Sequence, residues 1–270
     1  MPDTRRPGAD PFTRRTPRVV AARRLLRRRD RDETRRFLVE GPQAVREALR
    51  AGAVLELFGT PAALARHPEL VAQAGRASPV TEDALAGLAE TVTPQGLVAV
   101  CAALDRPLPE ALVTRPRLVA VLAGTRDPGN AGTVLRTADA AGAGAVVFAG
   151  EAVDPYNGKC VRASAGSLFH VDVVRAADPT AVLRELRGAG LVVLAADPYG
   201  DTDLDALADL GELRRPTAWL FGSEAHGLPG ALAEAADARV RVPLYGKAES
   251  LNLAAAAAVC LYASARALRT

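Results

Sequence analysis

The sequence predicts an α/β fold whose larger part is a mostly parallel sheet with helices on both faces. Two observations carry this prediction. Continuous apolar runs, which suit strands buried on both faces, recur through the second half of the chain, and helical patterns separate them. Strands that alternate with helices in this way form parallel sheets that are covered on both sides. The predicted strands span residues 118–123, 145–149, 171–174, 191–195, 218–221 and 238–242, and the predicted helices span residues 131–141, 179–188, 204–210, 229–236 and 251–268.

A smaller alternating α/β unit is predicted ahead of this sheet. Pro42 lies in the first turn of one of its helices, a position that proline favours. The predicted strands span residues 37–40, 53–58 and 96–103, and the predicted helices span residues 19–29, 42–50 and 61–66, with a further helix that begins at Thr81.

Two segments without regular patterns set the expected domain boundaries. The first 17 residues are rich in Arg, Pro and Thr and lack apolar periodicity, as is typical of a flexible arm. A later segment with three prolines and several charges predicts a linker. We therefore expect a flexible basic arm (1–17), a small domain (18–104), a linker (105–116) and a larger domain (117–270).

Positive charge is concentrated at the start of the chain. Residues 1–40 hold thirteen arginines and six acidic residues, whereas the net charge of the whole chain is only +3. A basic segment ahead of a mildly acidic body is typical of a protein that binds nucleic acid. A solvated, partly disordered tail would have the same composition, so the charge pattern alone leaves both interpretations open.

Cysteine usage and hydropathy argue against several classes of protein. Cys101, Cys160 and Cys260 lie far apart and form no Cys-x-x-Cys pair, which suits a reducing cytoplasm better than a disulfide framework or a metal site. The N-terminus lacks the apolar core of a signal peptide. The longest apolar run, residues 253–262, is shorter than the roughly 20 residues that a bilayer span needs, so we expect no membrane partner.

Ligands of parallel sheets bind beyond the carboxyl ends of the strands, so the loops that follow three predicted strands are the expected location of the site. The first loop contains Gly124, Gly129 and Gly132, which are spaced five and three residues apart. This spacing does not match the Gly-x-Gly-x-x-Gly fingerprint of dinucleotide sites, and Asn130-Ala131 stand where a P-loop requires lysine and a hydroxyl. A tight turn with Asn130 near the helix start is the simpler structural interpretation.

The second and third loops place polar groups beside glycines and at a helix entry. In the segment Phe-Gly-Ser-Glu-Ala-His-Gly-Leu, residues 221–228, Glu224 lies close to a backbone turn, and we consider His226 incidental because no group is placed to orient it. The third loop, residues 242–252, runs into an apolar helix for which Ser250 is a plausible N-cap. Asn252 is an amide at the entry of that helix, and if it is buried it must bond a neighbouring loop or a ligand.

Together, these three loops resemble the three motifs of the SpoU (TrmH) family of RNA ribose methyltransferases, in the SPOUT superfamily. The resembling residues are Asn130 with Arg136, then residues 221–228, then Val242-Pro243 with Ser250-Leu251-Asn252. Their order, strand–loop–helix context and spacing all agree, and three linked motifs are far more specific than one.

The resemblance extends into the first half of the chain. Phe37-Leu38-Val39-Glu40-Gly41, followed by Val45 and Glu47-Ala48-Leu49, is similar to the L30e-like substrate-binding domain that precedes the catalytic domain in many members. Thr93-Pro94-Gln95-Gly96 is similar to the end of that domain. The likeness covers about residues 19–268, and it implies a deep trefoil knot that the periodicity itself does not reveal.

The resemblance also implies the activity, the cofactor and the partners. It implies an S-adenosylmethionine-dependent enzyme without a metal, which methylates a ribose 2′-hydroxyl in RNA. Members with this architecture mostly modify 23S ribosomal RNA, so ribosomal RNA is the expected target, with a transfer RNA ribose methyltransferase as the alternative. The family is dimeric, and its site draws on both subunits.

The resemblance assigns roles to named residues. The family gives the activation of the hydroxyl to an arginine, here Arg136, held by Asn130. A guanidinium stays protonated because its pKa lies above about 12, so we expect Arg136 to bind the target phosphate and to stabilise developing alkoxide charge. Glu224 would orient Arg136 or its neighbours. The remaining assignments are Ser250 and Asn252 in shaping the site, and Gly222, Val242, Leu244 and Leu251 in contacting the donor.

Two other hypotheses use the same residues differently. A different nucleotide-dependent α/β enzyme would use the glycines of the first loop for phosphate. An RNA-binding protein without activity would be expected to lack Arg136 or Asn130, and both are present.

Overall fold

The structure, a computed structural model, describes residues 10–269, and these divide into two units. The smaller unit contains the described residues up to Ala103 together with Tyr156–Gly158, and the larger unit contains Leu104–Pro155 and the chain from Lys159 onward. Residues 1–9 of the predicted arm lie outside the described residues.

The smaller unit is a mixed four-stranded sheet with helices. In chain order its strands are β1 (Arg36–Glu40), β2 (Val54–Gly59), β3 (Ala77–Pro79) and β4 (Leu97–Ala102). The sheet order is β1-β4-β2-β3, in which β4 runs antiparallel to both neighbours and β3 runs parallel to β2. The helices are α1 (Pro17–Arg24), α2 (Arg28–Thr34), α3 (Pro42–Arg50), α4 (Pro61–Arg66), α5 (Pro68–Gln73) and α6 (Glu82–Ala86).

The start of the described chain differs from the sequence prediction. Phe12 is 5% exposed within a buried cluster, and its backbone N–H donates to the carbonyl of Pro79 over 2.8 Å. The described part of the predicted arm therefore packs on the small unit, and burial of the Phe12 ring together with its backbone hydrogen bond favours this placement. The single helix predicted at residues 19–29 is two helices, which a turn after Arg24 separates.

The larger unit is a seven-stranded sheet covered by helices. Its strands are β5 (Leu118–Ala123), β6 (Ala145–Ala149), β7 (Asp172–Ala176), β8 (Val192–Ala196), β9 (Thr202–Asp203), β10 (Thr217–Phe221) and β11 (Ala238–Arg241). The sheet order is β7-β6-β5-β10-β8-β11-β9, and every strand pair is parallel. The helices are α7 (Leu108–Leu112), α8 (Pro128–Ala141), α9 (Gly158–Ala163, which belongs to this unit from Lys159 onward), α10 (Pro179–Gly188), α11 (Leu204–Asp209), α12 (Gly230–Glu234) and α13 (Leu253–Ala267), with 3₁₀ turns at Ser167–Phe169 and Glu212–Arg214.

The predicted α/β class with its mostly parallel sheet is confirmed, and the differences from prediction are local. The segment taken as a linker contains α7, whose Leu108 and Ala111 are buried in the core of the larger unit. These two residues are three positions apart, so one face of a short helix presents both to the core. The trefoil knot that the resemblance implies stays a prediction.

The long helix α13 is fixed to the sheet by a buried polar contact. Trp219 on β10 donates from Nε1 to Oγ of Ser264 on α13 over 2.8 Å, and both side chains are fully buried. A buried indole N–H needs such an acceptor. None of the helices within residues 10–269 combines the length and the apolar character that crossing a membrane requires.

The approach of α8 to α9 depends on a residue without a side chain. A Cβ added at Gly132 would lie 2.4 Å from the carbonyl oxygen of Cys160 and 2.7 Å from Cβ of Ala163. Either distance is shorter than van der Waals contact, so only glycine fits between the two helices.

We therefore expect Gly132→Ala to lower the free energy of unfolding by about 1–3 kcal/mol, since the overlap outweighs the helix propensity that alanine adds. Urea unfolding followed by circular dichroism measures this change. Gly188→Ala is the matched control, because no heavy atom lies within 4 Å of an added Cβ there. Equal midpoints for the two variants would contradict the packing argument.

Candidate active site

Three loops of the larger unit meet at one edge of the sheet. They follow β5, β10 and β11, and because all the strands are parallel their carboxyl ends share that edge. β10 lies directly beside β5, and β11 lies two strands further along. Beside the second and third loops is a cavity of about 800 Å³, which suits a small-molecule ligand.

The second loop is a closed turn that requires glycine at its entry. The backbone N–H groups of Ser223 and Gly227 each donate to the other residue's carbonyl, both over 2.9 Å. A Cβ added at Gly222 would lie 2.2 Å from the carbonyl carbon of Gly227, so a side chain at Gly222 would force the turn open. Only the backbone N–H of His226 takes part, donating to Oγ of Ser223 over 3.2 Å, and its ring makes no hydrogen bond to the described residues.

A chain of polar side chains joins all three loops. Nδ2 of Asn130 donates to Oε1 of Glu224 over 3.0 Å, and Nδ2 of Asn252 donates to Oδ1 of Asn130 over 3.2 Å. The other carboxylate oxygen of Glu224 accepts from the backbone N–H of Arg126 over 3.3 Å. Asn130 therefore links the carboxylate of the second loop to the amide of the third, and we call Glu224, Asn130 and Asn252 the polar chain.

Helix caps hold two members of the polar chain, Asn130 and Asn252. Asp127 caps α8 by accepting from the backbone N–H of Asn130 over 2.8 Å, and Lys159 donates to the same carboxylate over 2.8 Å. The hydrogen bond from Lys159, followed by that from Asn130, lowers the pKa of Asp127 below its usual range. Asn252 caps α13 by accepting from the backbone N–H of Ala254 over 2.9 Å.

The caps correct two sequence interpretations. The N-cap of α13 is Asn252 and not Ser250, so the helix begins two residues later than its apolar pattern suggests. Asn252 is exposed, and its pairing therefore comes from its position between two loops and not from burial. Asn130 is the third residue of α8, which agrees with its predicted position near the helix start, and the cap is Asp127.

The structure brings together most of the residues singled out from the sequence. Those that line the cavity are Gly222, Glu224, Val242, Leu244, Ser250, Leu251 and Asn252. Asn130 joins them through the polar chain. Arg136 does not: it is exposed on α8, does not line the cavity, and its side chain makes no hydrogen bond or ion pair within residues 10–269. The expected contacts of Arg136 with Asn130 and Glu224 are therefore absent among the described residues.

The sequence interpretation missed one wall of the cavity, which the loop after β8 forms. Asp197, Tyr199 and Arg239 line the cavity, and Nε of Arg239 donates to Oδ2 of Asp197 over 2.9 Å. The backbone N–H of Tyr199 donates to the other oxygen of Asp197 over 2.9 Å. The sequence Asp197-Pro198-Tyr199-Gly200 directly after an apolar run indicates a polar loop at the end of a strand. Only the sheet order shows that this strand, β8, lies beside β10, so that its loop reaches the cavity.

The chemistry of the cavity lining favours an organic ligand over a metal. Apolar side chains such as Val242 and Leu251 alternate with backbone groups and with the charged groups of Asp197, Glu224 and Arg239. Within the part of the chain that the structure describes, no group of three or more His, Cys, Asp or Glu side chains could hold a metal ion.

Comparison with known proteins gives family matches for both units. Residues 117–262 match the model of the SpoU rRNA Methylase family, and residues 16–99 match that of the MRM3-like substrate binding domain. The 23S rRNA (guanosine(2553)-2′-O)-methyltransferase RlmP of Bacillus subtilis is 38% identical over 243 residues, which cover 89% of this chain and 92% of that protein.

Solved structures give the same result. An rRNA methyltransferase from Sinorhizobium meliloti has a TM-score of 0.83 at 32% identity, covering 95% of this chain and 97% of that one. The SpoU methyltransferase AviRb from Streptomyces viridochromogenes, in complex with the cofactor AdoMet, has a TM-score of 0.81 at 32% identity, covering 93% of this chain and 98% of that one. With its three loops joined at one sheet edge and its family match over the whole larger sheet, the chain belongs to the SpoU rRNA methylase family.

Proposed function

We propose that this chain is an S-adenosylmethionine-dependent methyltransferase that methylates a ribose 2′-hydroxyl in 23S ribosomal RNA. The observation that carries the proposal is the cavity whose walls are the second and third loops, tied by the polar chain to the first. The named relative RlmP, which acts on 23S rRNA and covers nearly the whole chain, supports both the reaction and the class of substrate.

The cavity residues fit the donor. A volume of about 800 Å³ accommodates a nucleoside with its side chain. The apolar side chains of Val242, Leu244 and Leu251 suit a purine ring and a methylthio group, and the closed turn that begins at Gly222 offers backbone groups. Asp197 supplies a carboxylate at the end of β8 that could accept from hydroxyl groups. We assign Gly222, Val242, Leu244 and Leu251 to donor binding.

The donor supplies, when bound, a methyl group on a positively charged sulfur that leaves as a neutral thioether. The ribose hydroxyl that attacks this methyl gains negative charge as its proton departs. We assign stabilisation of that charge, and contact with the target phosphate, to Arg136. Its guanidinium is exposed and has no carboxylate partner among the described residues, so it is available for an anion.

The polar chain positions the loops. Asn130 orients the carboxylate of Glu224 on one side and the amide of Asn252 on the other. Asn252 in turn fixes the start of α13, next to Ser250 and Leu251 in the cavity wall. We assign Glu224, Asn130 and Asn252 to holding the three loops in one arrangement, and Ser250 to shaping the site at the mouth of the third loop.

We propose that the active form is a homodimer. The largely apolar helix α13 leaves two large side chains uncovered, because Val259 is 42% exposed and Tyr262 is 53% exposed. Arg136 does not line the cavity of its own copy. A site that combines the cavity of one copy with Arg136 of another would account for both observations, and a two-fold pair is the commonest assembly.

We propose a reducing cytoplasm as the setting of the enzyme. Cys101, Cys160 and Cys260 are all buried, and none forms a disulfide. Burial raises the pKa of all three thiols, which leaves them protonated and unreactive at neutral pH.

The proposed function predicts that the protein binds S-adenosylmethionine and neither NAD nor ATP, and transfers the methyl group to a 2′-hydroxyl of a 23S ribosomal RNA transcript. Calorimetry measures binding, and mass spectrometry of nuclease digests locates the methyl group.

Gly222→Ala should abolish donor binding because its Cβ overlaps the turn, whereas Gly246→Ala should not, since no heavy atom lies within 4 Å of its added Cβ. Binding of ATP without the donor, or methylation on a base, would overturn the proposal.

A second prediction concerns Arg136. Arg136→Ala should lower single-turnover methyl transfer by on the order of 10²-fold or more, as loss of an oxyanion donor does, while donor affinity stays unchanged. Arg136→Lys should not restore the rate, since an ammonium lacks the planar fork of a guanidinium. Arg126→Ala is the matched control, because its side chain is exposed and only its backbone bonds Glu224. A full rate in Arg136→Ala would remove its proposed role.

A third prediction tests the shared site. Light scattering should give twice the mass of one chain. Mixing Arg136→Ala with Gly222→Ala, each inactive alone, should restore about a quarter of the wild-type rate, since half the pairs are mixed and each mixed pair holds one intact site. No recovery in a mixture that exchanges subunits, or full activity in a monomer, would contradict the dimer proposal.

A further inference from the structure

We propose that the turn between α1 and α2 is a fixed surface that binds the phosphate backbone of RNA. This surface, the arginine corner, consists of Arg23, Arg24, Arg27, Arg28 and Arg29, all of which are exposed. The proposal rests on the proposed function in that it takes RNA as the partner. It assigns RNA contact to a folded surface of the small unit that lies outside the three loops.

Packing fixes which side of α1 faces outward. Val19, Ala22 and Leu25 are at most 5% exposed and belong to a buried cluster of the small unit. Because these residues recur every three positions, they occupy one face of the helix, and the arginines at its end project elsewhere. The corner is thus carried on a face that the core does not use.

The turn itself is held by a buried arginine. Arg31 is 7% exposed, and its Nη1 donates to the carbonyls of Leu25 and Leu26 over 2.9 and 3.0 Å. These carbonyls lie at the end of α1, where intrahelical partners run out. A guanidinium from α2 therefore caps α1 and sets the angle between the two helices. A surface ordered in this way loses less entropy on binding than a flexible basic tail would.

The charges of the corner are poorly compensated within the chain. Arg23, Arg27 and Arg29 form no ion pair with any residue from 10 to 269. The two partnered members have long contacts, with Arg24 4.0 Å from Asp30 and Arg28 3.6 Å from Asp32. Exposed pairs of this kind stabilise a protein by under about 1 kcal/mol.

Local stability does not account for this arrangement. Five arginines within seven positions repel one another, and Arg28 and Arg29 lie in the first turn of α2, where the helix dipole disfavours cations. A bound polyanion would offset both the repulsion among the arginines and their unfavourable interaction with the helix dipole. Arginine suits phosphate oxygens in particular, because its planar fork donates two parallel hydrogen bonds.

The composition of the corner also indicates which part of the RNA it contacts. Residues 13–36 contain eleven arginines and no aromatic residue. Stacking on bases uses aromatic side chains, so we assign the corner to backbone contact that is independent of base sequence. Its role is to hold and align the RNA, and recognition of the target nucleotide belongs elsewhere.

The test is a comparison of two triple variants with equal changes in net charge. Arg23→Ala/Arg27→Ala/Arg29→Ala removes the unpaired members of the corner, and alanine preserves the helices. Arg50→Ala/Arg184→Ala/Arg215→Ala removes three exposed arginines from other helices and turns. Filter binding to a 23S ribosomal RNA transcript is measured over a salt series, together with donor calorimetry and thermal melting of both variants.

The corner variant should lose roughly 10- to 100-fold in RNA affinity at low salt, and its log–log salt slope should fall by about 2, as the loss of three phosphate contacts requires. The control should keep the wild-type slope, and both should bind the donor normally and reach the wild-type single-turnover rate at saturating RNA. An unchanged slope in the corner variant, or equal losses in both, would overturn the proposal. If the wild type binds the transcript through the corner without methylating it, the proposed function fails and the surface stands.

Discussion

The side-chain amide of Asn130 is the contact on which the site depends. An amide is neutral and both donates and accepts, so one side chain can bond a carboxylate with its NH₂ and another amide with its carbonyl. Asn130 does both, and it thereby joins loops that are about 90 and 120 residues away along the chain. Two helix caps position the residues that make this contact. Asp127 caps α8 by accepting from the backbone N–H of Asn130, the third residue of the helix, and Asn252 caps α13 in a similar way.

The parallel sheet makes such a contact possible, since it brings the carboxyl ends of β5, β10 and β11 to one edge. Glycine then adjusts the distances. The turn after Gly222 closes on itself only without a Cβ, and the close approach of α8 to α9 at Gly132 leaves no room for a side chain. The site is therefore specified by sheet order first, by two close backbone approaches next, and by side-chain hydrogen bonds last.

The amino-acid sequence predicts some of these features and not others, for physical reasons. Strands β5 and β6 were predicted with their exact bounds, because strands buried on both faces are unbroken apolar runs. The start of α13 was misplaced because Leu251 continues the apolar pattern, whereas the cap geometry of Asn252 decides where the helix begins. Strand β9 has two residues and α7 five, too few for any period to show. The wall formed by Asp197 and Tyr199 was missed because sheet order is a property of the fold and has no local signature.

The polar chain limits which substitutions this sequence can accept at positions 130, 224 and 252. Aspartate has the shape of asparagine but no NH₂, so Asp at position 130 would set two carboxylates against each other where Asn130 now donates to Glu224. A change to Gln at position 224 would relieve that repulsion. The order of the two changes would matter. If Gln came first, its single side-chain oxygen would replace two carboxylate oxygens that now accept from Asn130 and from the backbone N–H of Arg126. Positions 130, 224 and 252 should accordingly vary as a set among descendants of this chain, with each tolerated substitution conditional on the other two.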